Sequence, residues 1–197
     1  MQDVLLKISE SAIQKSGANY AEARAQKLYK TMLTLKEGRV EAAKQGIENG
    51  VAIRVLVNGA WGFASVGSFD SDILLEAVSN ACRMAKVASQ RLKTPIKLAP
   101  AKAVTDHVEA KPNKNPSNVS MEDKIKDVSE INRSVLGFDK RVKSCTVDYL
   151  DLTGYSLYLN SEGTSIQQDK LYVWSRITAS AQSQGVFTYS REEVGST

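Results

Sequence analysis

Val51, Ile53, Val55 and Val57 alternate along the chain, and an Asn-Gly pair stands on each side of them, at Asn49-Gly50 and Asn58-Gly59. A period of two places alternate side chains on one face of a strand. Asn-Gly is the pair that type I′ hairpin turns select, because both central residues need positive φ. The pattern predicts an antiparallel meander. Neighbouring segments extend it: Ala21, Ala23 and Ala25 alternate with Glu22, Arg24 and Gln26; Thr31 to Lys36 runs into Glu37-Gly38; Arg39 to Gln45 leads to Asn49-Gly50; and Ala60 to Val66 follows Asn58-Gly59.

Helical spacing brackets this region. Leu5, Ile8 and Ala12 predict an amphipathic helix with Gly17 as its stop. A second helix is expected over 71–88, capped by Asp70 or Ser71, with Ile73, Leu74, Ala77, Val78, Ala81, Met84, Ala85 and Ala88 on one side. All four prolines, Pro95, Pro100, Pro112 and Pro116, then fall in one stretch, which reads as an irregular connection. Ser120 and Asp123 form a capping-box-like start for a third helix, with Met121, Ile125, Val128, Ile131 and Val135 on one face and Gly137 as its stop. Strands are expected over 142–151, 155–160 and 164–183, with Ser161-Glu162-Gly163 as a turn. The expected fold is α+β, two helix-plus-antiparallel-meander units with helices packed on β-sheet. Its units are 1–93 and 119–197, joined by a Pro-rich linker, 94–118.

The chemistry the chain can support is narrow. Its single histidine, His107, cannot supply the two imidazoles of a helical zinc-protease motif, and its place in the linker suits a solvated loop residue. Cys82 and Cys145 are far apart, with no CxxC, and read as buried free thiols of a reducing compartment. No GxSxG elbow, GxGxxG or GxxxxGK[ST] loop occurs. Neither a catalytic nor a metal-binding or cofactor-binding residue can be nominated. The formal net charge of +4 is concentrated between Glu76 and Asp106, an acid-free interval holding Arg83, Lys86, Arg91, Lys93, Lys97 and Lys102. No aromatic residue or recognition motif interleaves these cations, so a solvated helix end is expected there and not a nucleic-acid site. The N-terminus has no signal-peptide core and no run is long enough for a membrane span, which points to the cytoplasm. The residues nominated for contact with a peptide or partner are aromatic: Trp61 and Phe63 on one strand face, and Tyr172 and Trp174 on another. A sheet edge beside such residues can accept an extended peptide by main-chain hydrogen bonding. A standalone binding module of that kind, without enzymatic activity, is the alternative to the reading below.

Taken in order, several segments resemble the N-terminal part of the TldD/PmbA family of zinc metallopeptidases, also described as modulators of DNA gyrase. They are Ala21-Glu22-Ala23, Gly50-Val51-Ala52-Ile53-Arg54-Val55, Trp61-Gly62-Phe63-Ala64-Ser65, and the alanine-rich helix with Ala77, Ala81 and Ala85. In the second unit, Ser120-Met121-Glu122-Asp123-Lys124, Asp139-Lys140-Arg141-Val142 and Leu159-Asn160-Ser161-Glu162-Gly163-Thr164 resemble the TldD-like branch. The resemblance implies a longer protein that hydrolyses unfolded or small peptides with zinc-activated water, its subunits paired as homo- or hetero-oligomers around a chamber. The family's HExxxH zinc motif lies beyond the region matched. The resemblance therefore implies that zinc belongs to a C-terminal region absent from this chain, that the second unit is truncated, and that this chain alone is inactive. Its part would be chamber wall, substrate access or subunit contact.

Overall fold

The computed structural model describes residues 17–196. The helix expected around Leu5, Ile8 and Ala12 lies outside the described residues. The elements run β1 (Tyr20–Lys36), β2 (Arg39–Val57), β3 (Ala60–Val66), α1 (Ser71–Ser89), β4 (Thr105–Val108), a 3-10 turn (Pro116–Asn118), α2 (Met121–Gly137), β5 (Val142–Asn160), β6 (Ser165–Ser183) and β7 (Val186–Ser196). The fold is α+β and sheet-dominated. Strands pair in the order β3-β2-β1-β5-β6-β4, with β7 also on β6. The β4–β6 pair is parallel.

Two of the expected breaks are absent. β2 runs straight through Asn49-Gly50, so only Asn58-Gly59 of the two Asn-Gly pairs is a hairpin turn, with φ of 48° and 77°. The reason lies in β3: a Cβ on Gly50 would stand 3.0 Å from the Val66 carbonyl oxygen, so this glycine serves a close strand approach and not a reversal. Likewise β5 continues through Asp151 to Tyr155, where separate strands were expected. Glu37-Gly38 is a turn, with φ of 50° and 79°. Gln184-Gly185 is another, with φ of 49° and 82°, and it launches β7, a strand the sequence reading omits. The Pro-rich stretch contains β4, and His107 lies on that strand instead of in a loop, its Nε2 3.0 Å from Asp169 Oδ1 and 3.3 Å from Gln167 Nε2.

The chain divides into two compact units, each assembled from three segments. The first takes residues up to Lys27, Glu48–Glu109 and Tyr155–Asp169; the second takes Leu28–Ile47, Ala110–Gly154 and the residues from Lys170 onward. In the first unit, Ala21, Ala23 and Ala25 of β1, Val51, Ile53, Val55 and Val57 of β2, and Leu157 and Leu159 of β5 share a core with α1. Asp70 caps that helix, accepting the Asp72 and Ile73 N–H groups at 3.0 and 3.2 Å. Its buried stripe is Leu74, Ala77, Val78, Ala81, Cys82 and Ala85, whereas Ile73 and Met84 are exposed. Small residues bring the α1 backbone close to β3, so close that a Cβ on Gly62 would fall well inside contact with the Ala81 carbonyl oxygen.

In the second unit, Leu33 and Leu35 of β1 and Cys145 and Val147 of β5 pack with Val128 of α2. Ser120 caps α2 through the Asp123 N–H at 3.0 Å, as the capping box requires. The deepest face of α2 is, however, Lys124, Val128 and Asn132, and Ile131 of the expected stripe is exposed. Partners explain the polar intruders. Asn132 accepts the Gly38 N–H at 2.8 Å and donates to the Cys145 carbonyl at 2.9 Å, locking the β1–β2 turn. Lys124 Nζ lies 2.7 Å from Asp151 Oδ2, both side chains being almost wholly buried. Cys82 and Cys145 are both free and buried.

Candidate functional site

Because side chains alternate along a strand, the core on one side of the first unit determines what its other side presents. Gly62 points to α1, so Trp61 and Phe63 flank it on the opposite face. On β1 the alanines point inward and leave Tyr20, Glu22 and Arg24 facing the other way; on β2 the same parity gives Arg54, on β5 Tyr158. Antiparallel pairing sets Arg54 opposite Phe63 and Leu56 opposite Trp61.

These residues form one network. Arg54 Nε donates to Glu22 Oε1 at 2.6 Å, and its guanidinium carbon lies 4.8 Å from the centre of the Trp61 ring. The other carboxylate oxygen, Oε2, accepts from the Tyr20 hydroxyl at 2.8 Å and from the Tyr158 hydroxyl at 3.0 Å. With both protons directed to Glu22, the 3.0 Å between the two hydroxyls is a close approach and not a third bond. Tyr20 meets Trp61 edge-on, centroids 5.9 Å apart and planes at 86°, and Arg24 stands 5.6 Å from the centre of the Tyr158 ring. Phe63 is half exposed.

Burial pushes the Glu22 carboxyl up, but the hydrogen bonds from Arg54, Tyr20 and Tyr158 together outweigh it and hold the group below its ordinary value. Burial raises the Tyr20 phenol, and the adjoining Tyr158 hydroxyl and Glu22 carboxylate add to that. Glu22 in turn holds the Arg54 guanidinium protonated. The cluster is thus a carboxylate, a cation and two hydroxyls that donate to the carboxylate. Among its members no nucleophile stands beside a general base.

A pH dependence follows. Glu22 titrates lower in the folded chain than in the unfolded one, so its contribution is complete above about pH 4.3 and disappears as pH falls through the depressed folded-state value. Glu22→Gln should lower stability by about 1 kcal/mol at neutral pH, a modest cost because Arg54 is half exposed. Urea midpoints measured from pH 7 down to pH 3 should fall less steeply for the variant than for the wild type. Parallel curves would show that Glu22 carries none of the acid sensitivity.

Tyr172 and Trp174 lie in the second unit, on β6, both half-buried. Trp174 pairs with Gly195 of β7, and Arg176, held by Glu193 at 2.8 Å, stands 4.7 Å from the centre of the indole ring. The nominated aromatics therefore occupy two sites. Tyr20, Glu22, Arg54 and Tyr158 escaped the sequence reading. Their parity was visible, since Glu22 lies between core alanines and Arg54 between Ile53 and Val55, but the β2-β1-β5 order that joins them was not.

Among the described residues no group of three or more His, Cys, Asp or Glu side chains could hold a metal ion. His107 is paired with Asp169, and Cys82 and Cys145 are buried in separate cores. These residues do not fit a zinc site. No helix among the described residues is long and apolar enough to cross a membrane.

Residues 21–85 match the family model for PmbA/TldA metallopeptidase domain 1, and residues 114–197 match that for the PmbA/TldA metallopeptidase central domain. A metalloprotease of Methanocaldococcus jannaschii is 28% identical over 90% of this chain and 39% of its own length. A zinc metalloprotease TldD homolog of Saccharolobus solfataricus is 25% identical over 78% of this chain and 32% of its own. The chain thus spans about two-fifths or less of these relatives. Its fold is similar to that of TldE from Thermococcus kodakarensis, with a TM-score of 0.75 over 98% of this chain and 42% of that one at 12% identity. It is also similar to a candidate modulator of DNA gyrase from Bacteroides thetaiotaomicron, with a TM-score of 0.79 over 99% and 44% at 16% identity. The two domain models match in sequence order and together take in most of the chain, which therefore belongs to the PmbA/TldA metallopeptidase family.

Proposed function

We propose that this chain is a non-catalytic N-terminal portion of a PmbA/TldA-type zinc metallopeptidase acting on unfolded or small peptides. It contributes chamber wall, substrate access or subunit contacts, with the helices seated on the sheet as a rigid support. The observation that carries this reading is the ordered match to domain 1 and the central domain over a chain two-fifths as long as its relatives. Zinc is assigned to residues outside the matched stretch, since those described do not fit it. The working assembly is a cytoplasmic oligomer with a family subunit, and the Trp61–Arg54–Glu22 face is its contact for a peptide or that subunit.

Elemental analysis and a peptidase assay on an unfolded protein substrate test the reading. The chain alone should carry no stoichiometric zinc and cleave nothing. Stoichiometric zinc with hydrolysis abolished by a chelator would overturn it. One observation favours a second reading, a standalone peptide-binding module: β3, with half-exposed Phe63, ends the strand order of the described residues. An in-frame HExxxH downstream of Thr197 decides for the first reading, and a stop codon for the second.

A further inference from the structure

The buried ion pair of the second unit forms the floor of a cleft. Tyr29, Ile47, Val119, Thr31, Lys124 and Asp151 are among the residues that line about 610 Å³ of space, within the size range of small-molecule sites. Burying two charges costs several kcal/mol per ion, and an apolar pair would suit a unit whose core is Leu33, Leu35, Val128, Cys145 and Val147 as well. Packing does not explain Lys124 and Asp151. Their unused valences do.

An ammonium carries three donors. Lys124 gives one to Asp151 Oδ2 at 2.7 Å and one to Thr31 Oγ1 at 3.3 Å, and the third has no partner among the described residues. Asp151 Oδ2 also accepts from the Tyr149 hydroxyl at 2.8 Å, which leaves Oδ1 without a partner among the same residues. The cleft floor therefore offers one N–H donor and one carboxylate acceptor side by side. A carboxylate ligand would meet the Asp151 charge, and an ammonium ligand the Lys124 charge. A neutral amide satisfies both, its carbonyl accepting from Lys124 Nζ and its N–H donating to Asp151 Oδ1. Tyr29, Ile47 and Val119 supply apolar walls for a substituent.

We propose that this cleft is a binding site for a small amide carrying an aliphatic substituent, distinct from the Trp61 face and independent of the peptidase reading. Titration of the protein with isocaproamide, followed by amide chemical shifts, should give saturable changes confined to residues around 29–31, 45–47 and 151–154. Isocaproate and isoamylamine should bind at least tenfold more weakly. The Lys124→Met/Asp151→Leu double variant should lose at least tenfold in affinity, and so should Ile47→Asp, which alters an exposed wall residue and decides the matter should the double variant fail to fold. No saturable change at the cleft, equal binding of carboxylate or amine, or unchanged affinity in a folded variant would overturn the assignment.

Discussion

Replacing Gly62 by alanine should destabilise the chain by about 3 kcal/mol, at the upper end of what overpacking costs. Most alanine substitutions for glycine within a strand are mildly favourable, because glycine surrenders more backbone freedom on folding. Here a Cβ would collide with the Ala81 carbonyl oxygen and approach the Ala81 carbonyl carbon and the Ala85 nitrogen of α1. Those are backbone atoms, so no rotamer change relieves the clash; the helix or the strand must move. Since Ala77, Ala81 and Ala85 seat α1 in the core with Val51, Ile53 and Val55, moving it opens the core along its length. Gly46, a strand glycine on β2 with nothing within 4 Å, is the control: Gly46→Ala should stay within about 0.5 kcal/mol of the wild type. Urea midpoints at unchanged m-value provide the measurement. A Gly62→Ala protein within 1 kcal/mol of the wild type would show that α1 does not need this approach. Displacement of β3 would also shift Trp61 and Phe63, which flank Gly62 on the other face, so the packing side and the recognition side are coupled through one residue.

The same coupling shows what could be read from residues in order. Strand parity was legible, because Ala21, Ala23 and Ala25 or Val51, Ile53 and Val55 can satisfy only one face. Where the chain turns was legible only in part. Asn58-Gly59 and Asn49-Gly50 are the same dipeptide, yet one reverses the chain and the other lets β3 come close to β2, a difference made by the neighbouring strand and not by local preference. On α2, Met121, Ile125, Val128 and Val135 lie in or against the core as expected and Ile131 does not, for a related reason. Apolar spacing selected Ile131, whereas Asn132 is buried because it satisfies the Gly38 N–H and the Cys145 carbonyl, partners remote in sequence. The carboxylate–guanidinium–phenol network of the first unit needs β1 between β2 and β5, and strand order is a non-local quantity that alternation does not encode.

Lys124 and Asp151 carry the second large effect. Lys124→Met leaves a carboxylate, and Asp151→Leu an ammonium, with no opposite charge at a site where the pair is about 95% buried. Each single change should cost about 3–5 kcal/mol, because what remains is an uncompensated buried charge. The double variant should lie within about 1 kcal/mol of the wild type, since Met matches Lys124 in volume, Leu has the branched heavy-atom shape of Asp151, and neither leaves a buried charge. A double-mutant cycle from urea unfolding at pH 7 measures the coupling, expected to be several kcal/mol. Small single-variant effects would mean that water reaches the pair well enough to solvate either charge. Additive effects would mean that the charges do not sense each other at 2.7 Å. The expected pattern, costly singles and a nearly neutral double, is the one in which the pair gives the fold almost nothing that two apolar residues could not, and in which its burial beside the cleft is explained by a ligand instead.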